Sequence, residues 1–197
     1  MIFGAAFALV AVLAARPAAA QQPLPGLPEQ LLDGALAVAG HPGTLMTLAP
    51  LGVLLGLWRP DGARRTVPAL FAGLVLGVFV APALGPYGLS LALLGTALLA
   101  FLGLAARRLP GWVVQAVTLA MGALSAAAVI GPRGAAGLPQ AALAGLGLGA
   151  LILPAAASGV VVASLRWIND SWLRVVWMVG LSWIGALSLI LAAFRLR

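Results

Sequence analysis

The sequence predicts an all-α fold: a polytopic transmembrane bundle of roughly six spans behind an N-terminal signal-like segment. Three observations carry that expectation. Of 197 residues, 63% are hydrophobic and 8% charged, against about 25% charged in ordinary soluble domains. The mean hydropathy is +1.13. The apolar residues are gathered into long runs, of roughly the 17–25 residues that cross a hydrocarbon core, and the charges and the Gly/Pro punctuation fall between them.

Residues 1–20 read as a secretory signal, with an apolar core over 2–15, then Arg16-Pro17 and the small residues Ala18-Ala19-Ala20. The n-region has no basic side chain, so an uncleaved anchor is the other reading. Residues 21–33 form a Pro-rich lead-in, with prolines at 23, 25 and 28 that predict an extended, solvent-side segment. Glu29 and Asp33 stand where a helix would begin and suit the positive end of its first turn. Residues 34–197 are then one six-helix transmembrane domain.

Its first clear span is His41 to Trp58, HPGTLMTLAPLGVLLGLW. Five further apolar runs lie near 67–84, 89–106, 112–130, 138–165 and 172–194. The fifth run in the chain is long, and Pro154 is the expected kink within it. With the mature N-terminus outside, Arg59, Arg64, Arg65, Arg107, Arg108, Arg166 and Arg174 fall on the cytoplasmic side, and only Arg133, Arg195 and Arg197 fall outside. Seven against three follows the positive-inside rule and predicts this orientation; the membrane expected for it is a bacterial-type inner membrane.

Small residues mark the helix contacts. Gly52 and Gly56, Gly73 and Gly77, and Gly145 with Gly147 and Gly149 are spaced to let backbones approach where apolar burial supplies no drive. Trp58, Trp112, Trp167, Trp172 and Trp177 lie at or near span ends and read as interfacial anchors, whereas Trp183 is more interior.

Several function classes are disfavoured. The positive charge comes from eleven arginines, without lysine, but they stand singly or in pairs at span junctions, where headgroups account for them and nucleic acid need not. Zero cysteines exclude thiolate chemistry. Ala156-Ala157-Ser158-Gly159 is similar to the GxSG motif of rhomboid intramembrane proteases, but its first glycine is alanine and no histidine follows, so the serine has no base. The glycines at 145–149 lack a phosphate-loop lysine. No enzyme activity and no cofactor are expected.

His41 is the one histidine, and an ionisable group at a span is a functional hypothesis by default. It also has a plain structural reading, since a His-Pro pair can cap or wedge the start of a helix. As a metal site it stands alone, with Asp33 eight residues upstream. Thr44, Thr47, Gln115 and Thr118 are the candidate lining of a polar path, and the Gln115 amide requires a partner in the bundle or at the interface.

The stretch from His41 to Trp58 resembles the HupE/UreJ family of small membrane proteins associated with hydrogenase and urease systems and regarded as nickel or cobalt permeases. Against the family motif HPxTGxDHLLAMxxxGLW it keeps His41, Pro42, Thr44, Gly56, Leu57 and Trp58. The motif's Asp and second His fall on Thr47 and Leu48, and its Met on Gly52. A second likeness runs from Leu109-Pro110-Gly111-Trp112 through Ala123-Leu124 to Gly131, where the family's histidines are replaced by Ser125-Ala126-Ala127-Ala128 and Val129-Ile130. A third begins at Leu138-Pro139 and puts Pro154 near a family histidine. The resemblance implies a signal-bearing six-span scaffold with His41 as a remnant metal ligand.

Two functions follow as expectations. One is a divergent transporter of a small solute or transition metal, with a degenerate nickel/cobalt site. The other is a non-catalytic accessory subunit packed in a larger membrane complex, of respiratory, photosynthetic or hydrogenase type. The expected surroundings are the lipid bilayer, with a larger complex or a homo-oligomer as partner and no nucleic acid.

Overall fold

The computed structural model describes residues 26–131, 139–168 and 171–195, and the signal-like segment 1–20 lies outside them. Within the described residues the chain is helical and has no strand. The helices are α1 (Leu27–Gly40), α2 (Pro42–Trp58), α3 (Gly62–Leu84), α4 (Gly88–Leu104), α5 (Gly111–Ile130), α6 (Gln140–Ile168) and α7 (Ser171–Arg195), with short 3₁₀ turns at Gly85–Tyr87 and Ala106–Arg108.

The Pro-rich lead-in, expected to be extended up to a helix beginning at Glu29 to Asp33, is already helical from Leu27. Pro28 falls in the first turn, where a missing N–H costs nothing. The Gly26 N–H donates to Glu29 Oε2 at 3.1 Å, which closes that turn. Glu29 is therefore the first-turn acid, while Asp33 sits a turn deeper.

α1 and α2 form one apolar stretch broken by a 79° bend. The break falls at His41, whose backbone is extended (φ −85°, ψ 115°) and which ends one helix and precedes the next. A residue before proline is driven out of the α region, and Pro42 then suits the first helical position. The sharp bend of the bundle is thus at His41. α6 remains one helix through Pro154, which is buried with its backbone against Gly52 of α2.

Helix directions follow from which residues meet. A Cβ on Gly73 would strike the Leu119 backbone and one on Gly77 the Cβ of Ala123's neighbour Ala126, at 2.7 Å, so α3 and α5 run parallel. Gly88 faces Ala127 while Gly95 faces Met121, so α4 runs opposite to α5. Gly185 faces Ala97 and Ala100 while Gly103 faces Leu181, which reverses α7 against α4. Gly52 meets Pro154 and Gly56 meets Val161, so α2 and α6 are parallel.

Directions therefore alternate along the chain. Residues 62–104 form a helical run of 43 residues, which as one straight helix would reach about 65 Å, twice the thickness of a hydrocarbon core of about 30 Å. Their two halves lie antiparallel through their common neighbour α5, with Gly85 (φ +51°) at the turn. Among the described residues the broken α1–α2 pair, α3, α4, α5, α6 and α7 thus form six apolar elements of alternating direction, where the sequence predicts roughly six spans.

α2 is the axis of the bundle. Thirteen of its 17 residues are buried, the pattern of a helix surrounded on all sides. It is packed by α6, α4 and α5, while α3 lies chiefly on α5, α1 on α6 and α7 on α4. The predicted glycines sit in these contacts. A Cβ on Gly52 would come within 2.7 Å of Ala157 Cβ, on Gly56 within 2.9 Å of Val161 Cβ, and on Gly149 within 2.6 Å of Ala35 O. Gly145 likewise lies against the Leu31 backbone, whereas Gly147, between them, faces open space.

Because the chain has no cysteine, single substitutions report topology directly. With an impermeant maleimide on sealed vesicles, Arg64→Cys and Arg108→Cys should label from one side and Pro86→Cys from the other. Labelling of positions 64 and 108 from opposite sides would mean that residues 62–104 cross once.

Candidate functional site: the His41 elbow and the chamber beside it

Proline removes the N–H that would bond the carbonyl four residues earlier. In hydrocarbon no water replaces it. Pro42 withholds that donor from Val38 O, and Pro50, inside α2, withholds it from Met46 O. Both carbonyls are met by threonine hydroxyls. Thr44 Oγ1 donates to Val38 O and is shared with His41 O at 2.8 Å. Thr96 Oγ1, from α4, donates to Met46 O and is shared with Ala92 O, each at 3.0 Å. Thr44 thereby latches the end of α1 to the start of α2, and Thr96 ties α4 to α2.

The His41 backbone is fully engaged. Its N–H donates to Ala37 O at 2.9 Å, and its carbonyl accepts from Thr44 N and Leu45 N at 3.1 Å each. The imidazole rests over Gly43, where a Cβ would meet Cε1 at 3.0 Å and Nδ1 at 3.2 Å, with Leu89 of α4 closing the other side. Nδ1 is buried without a hydrogen-bond partner. The ring thus packs on the first turn of α2, where Leu89 of α4 also approaches.

The other predicted lining groups do not present free polar atoms to a shared path. Thr47 Oγ1 donates to Thr44 O at 3.0 Å, and Thr118 Oγ1 to Val114 O at 2.7 Å. Both side chains are fully buried. Gln115 is exposed, on the outer surface of α5, and is not brought together with Thr44, Thr47 or Thr118.

Beside the elbow lies a chamber of about 390 Å³ between α1–α2, α3, α5 and α6. Its polar lining residues are Thr44 and Ser125, and the Ser125 hydroxyl donates to Gly122 O at 2.9 Å. Leu48, Leu74, Leu146 and Gly147 are typical of the rest of the wall. A second, more open crevice, of about 610 Å³, sits at the other end of the bundle by Asp61, Arg64, Ser158 and Arg166. There the Arg65 guanidinium, hydrogen-bonded to Asp61, holds that carboxyl below its usual range. Ser158 lies against Gly56, fifteen residues along α2 from His41, roughly 22 Å away, so the one imidazole is out of reach of that hydroxyl.

A transition metal is a poor fit. Nickel or cobalt requires several imidazole, thiolate or carboxylate donors in one place. Among the described residues no three His, Cys, Asp or Glu side chains converge. His41 offers a single orphaned nitrogen.

Trp58 departs from its expected place at the interface. It is 7% exposed, and its Nε1 donates to Leu109 O at 3.0 Å, because the turn after α4 folds back beneath α2. Trp177 Nε1 donates to Ser164 Oγ at 2.9 Å. Trp112, Trp167, Trp172 and Trp183 are exposed on the outside of the bundle. The two threonine bonds to proline-orphaned carbonyls were not among the sequence expectations. Thr44 had a local signal in His-Pro-x-Thr, whereas Thr96 lies 50 residues from its acceptor and had none.

These features define a multi-pass α-helical membrane protein with a broken first span beside an apolar chamber. No protein family matches the chain, and neither a curated protein nor a solved structure matches it significantly.

Thr44→Val leaves the Val38 carbonyl without a donor and should cost about 1–2 kcal/mol. That corresponds to a melting midpoint in detergent lower by roughly 2–8 °C at this chain length. Thr44→Ser should hold the wild-type value. Equal melting of all three proteins would show that the latch contributes nothing.

Proposed function

We propose that the protein is a divergent HupE/UreJ-like carrier of the inner membrane, in which the metal path has given way to an apolar chamber. The observation that carries this is the broken span standing beside a chamber. Discontinuous helices at membrane depth are where secondary transporters build their binding sites. The residues behind the family resemblance have assigned places in this arrangement. His41 and Pro42 make the elbow, Thr44 latches it, Gly56 admits α6 and Trp58 fixes the turn after α4. They support a shared scaffold and carry no ligand set with them.

The cargo is apolar, as the chamber wall is, since the hydroxyls of Thr44 and Ser125 on it already donate to backbone carbonyls. Arg59, Arg64, Arg65, Arg107, Arg108, Arg166 and Arg174 gather at one end of the alternating bundle. By the positive-inside rule that end faces the cytoplasm and residue 26 the outside. A second reading is an accessory subunit in a larger membrane complex. It draws on the outward-facing Trp112, Trp167, Trp172 and Trp183, a surface equally suited to lipid.

Nickel and cobalt binding to the purified protein should equal that of His41→Ala, and neither ion should accumulate in proteoliposomes. Tight binding abolished by His41→Ala would overturn the loss of the metal path. Purification in mild detergent should yield this chain alone, and a stoichiometric companion protein would favour the accessory reading.

A further inference from the structure

α3 lines the chamber from Phe71 to Val78 and α6 from Leu143 to Leu151, about 10–12 Å of each helix at 1.5 Å per residue. The chamber therefore extends along both helices. α3 packs mainly on α5, and α6 mainly on α1 and α2, so the seam between α3 and α6 is lightly joined. Phe71, Val75 and Leu148 stand on that seam and are 57%, 43% and 51% exposed. The chamber thus opens sideways, and what meets its mouth at that depth is hydrocarbon.

Its chemistry excludes most other occupants. The hydroxyls of Thr44 and Ser125 already donate to backbone carbonyls, and no charged side chain lines the wall. A polar solute held there would lose water and gain no hydrogen bond, a cost of several kcal/mol per group in an apolar medium. The volume of about 390 Å³ lies in the range of small-molecule sites, about 300–1,000 Å³. Gly147 is on the wall with nothing within 4 Å of where its Cβ would stand. The space beside it is room and not contact, unlike that at Gly145 and Gly149.

We propose that the chamber is a lipid site, taking the acyl chain of a bilayer phospholipid laterally through the α3–α6 seam. This rests on reading the chamber as the binding site and names the chemical class that it holds. It requires no transport to be observed.

The test uses the full chain in phosphatidylcholine vesicles containing a phosphatidylcholine with a diazirine-bearing acyl chain, with adducts mapped by mass spectrometry after irradiation. Leu74 and Leu146, facing the chamber, should be labelled more than Phe79 and Ile152, which are 76% and 62% exposed on the outside of the same two helices. Gly147→Leu and Gly147→Phe should lower labelling at Leu74 and Leu146 progressively, by several-fold for phenylalanine. Gly180→Phe, placed on α7 where a side chain also meets open space, should leave it unchanged. Labelling at Leu74 and Leu146 no greater than at Phe79 and Ile152, or unaffected by either Gly147 variant in monodisperse protein, would overturn the proposal. A protein that carries no solute and yet labels in this pattern would separate the lipid site from the carrier reading.

Discussion

A carbonyl group that loses its helical N–H inside hydrocarbon has nowhere else to turn, and the centre of this protein is arranged around two of them. Pro42 and Pro50 break the backbone ladder at both ends of the first half of α2. The hydroxyls of Thr44 and Thr96 complete it. One of those bonds is local and sets the elbow. The other comes from α4 and fixes where that helix lies against α2. The bend at His41 and the position of the axial helix thus share one cause, the need to satisfy backbone that proline has opened.

Around that axis, association depends on close approach, because a leucine gains little by leaving lipid for another leucine. Gly52 and Gly56 admit α6, Gly73 and Gly77 admit α5, and Gly145 and Gly149 admit α1. α6 is consequently held along one face by α1 and α2, and its opposite side at Gly147 stays open. The same tight pairing that joins α3 to α5 leaves α3 only lightly joined to α6. The chamber is the space left where two well-packed pairs meet imperfectly.

Much of the architecture was legible from residue type and spacing. Run lengths located the helices to within a few residues, and the spaced glycines marked real contacts, because both depend on local composition and on the thickness of the bilayer. The helical start at Leu27 is hidden by prolines that ordinarily break a helix, whereas Pro28 occupies a position where proline is harmless. The place of Trp58 at a span end points to the interface, but its partner is the carbonyl of Leu109, 51 residues on. The same distance problem hid the Thr96 bond. The polar-path reading grouped Gln115 with three threonines by chemistry, and a helical register of three residues separates the exposed Gln115 from the buried Thr118. The chamber left no mark in the sequence, since its wall is ordinary, mostly apolar sequence drawn from five helices.

The residues that make the first span resemble a metal permease are, in this chain, those that bend, latch and pack it. The claim that threonine hydroxyls replace the donors that proline removes is tested most directly by a double-mutant cycle on Pro50 and Thr96, read as thermal stability in detergent. Thr96→Val alone should destabilise by about 1 kcal/mol. In a Pro50→Ala background, where residue 50 regains its N–H and can bond Met46 O within the helix, Thr96→Val should cost markedly less. An undiminished cost in that background would contradict the account, because the hydroxyl would then not be standing in for the donor that proline removed.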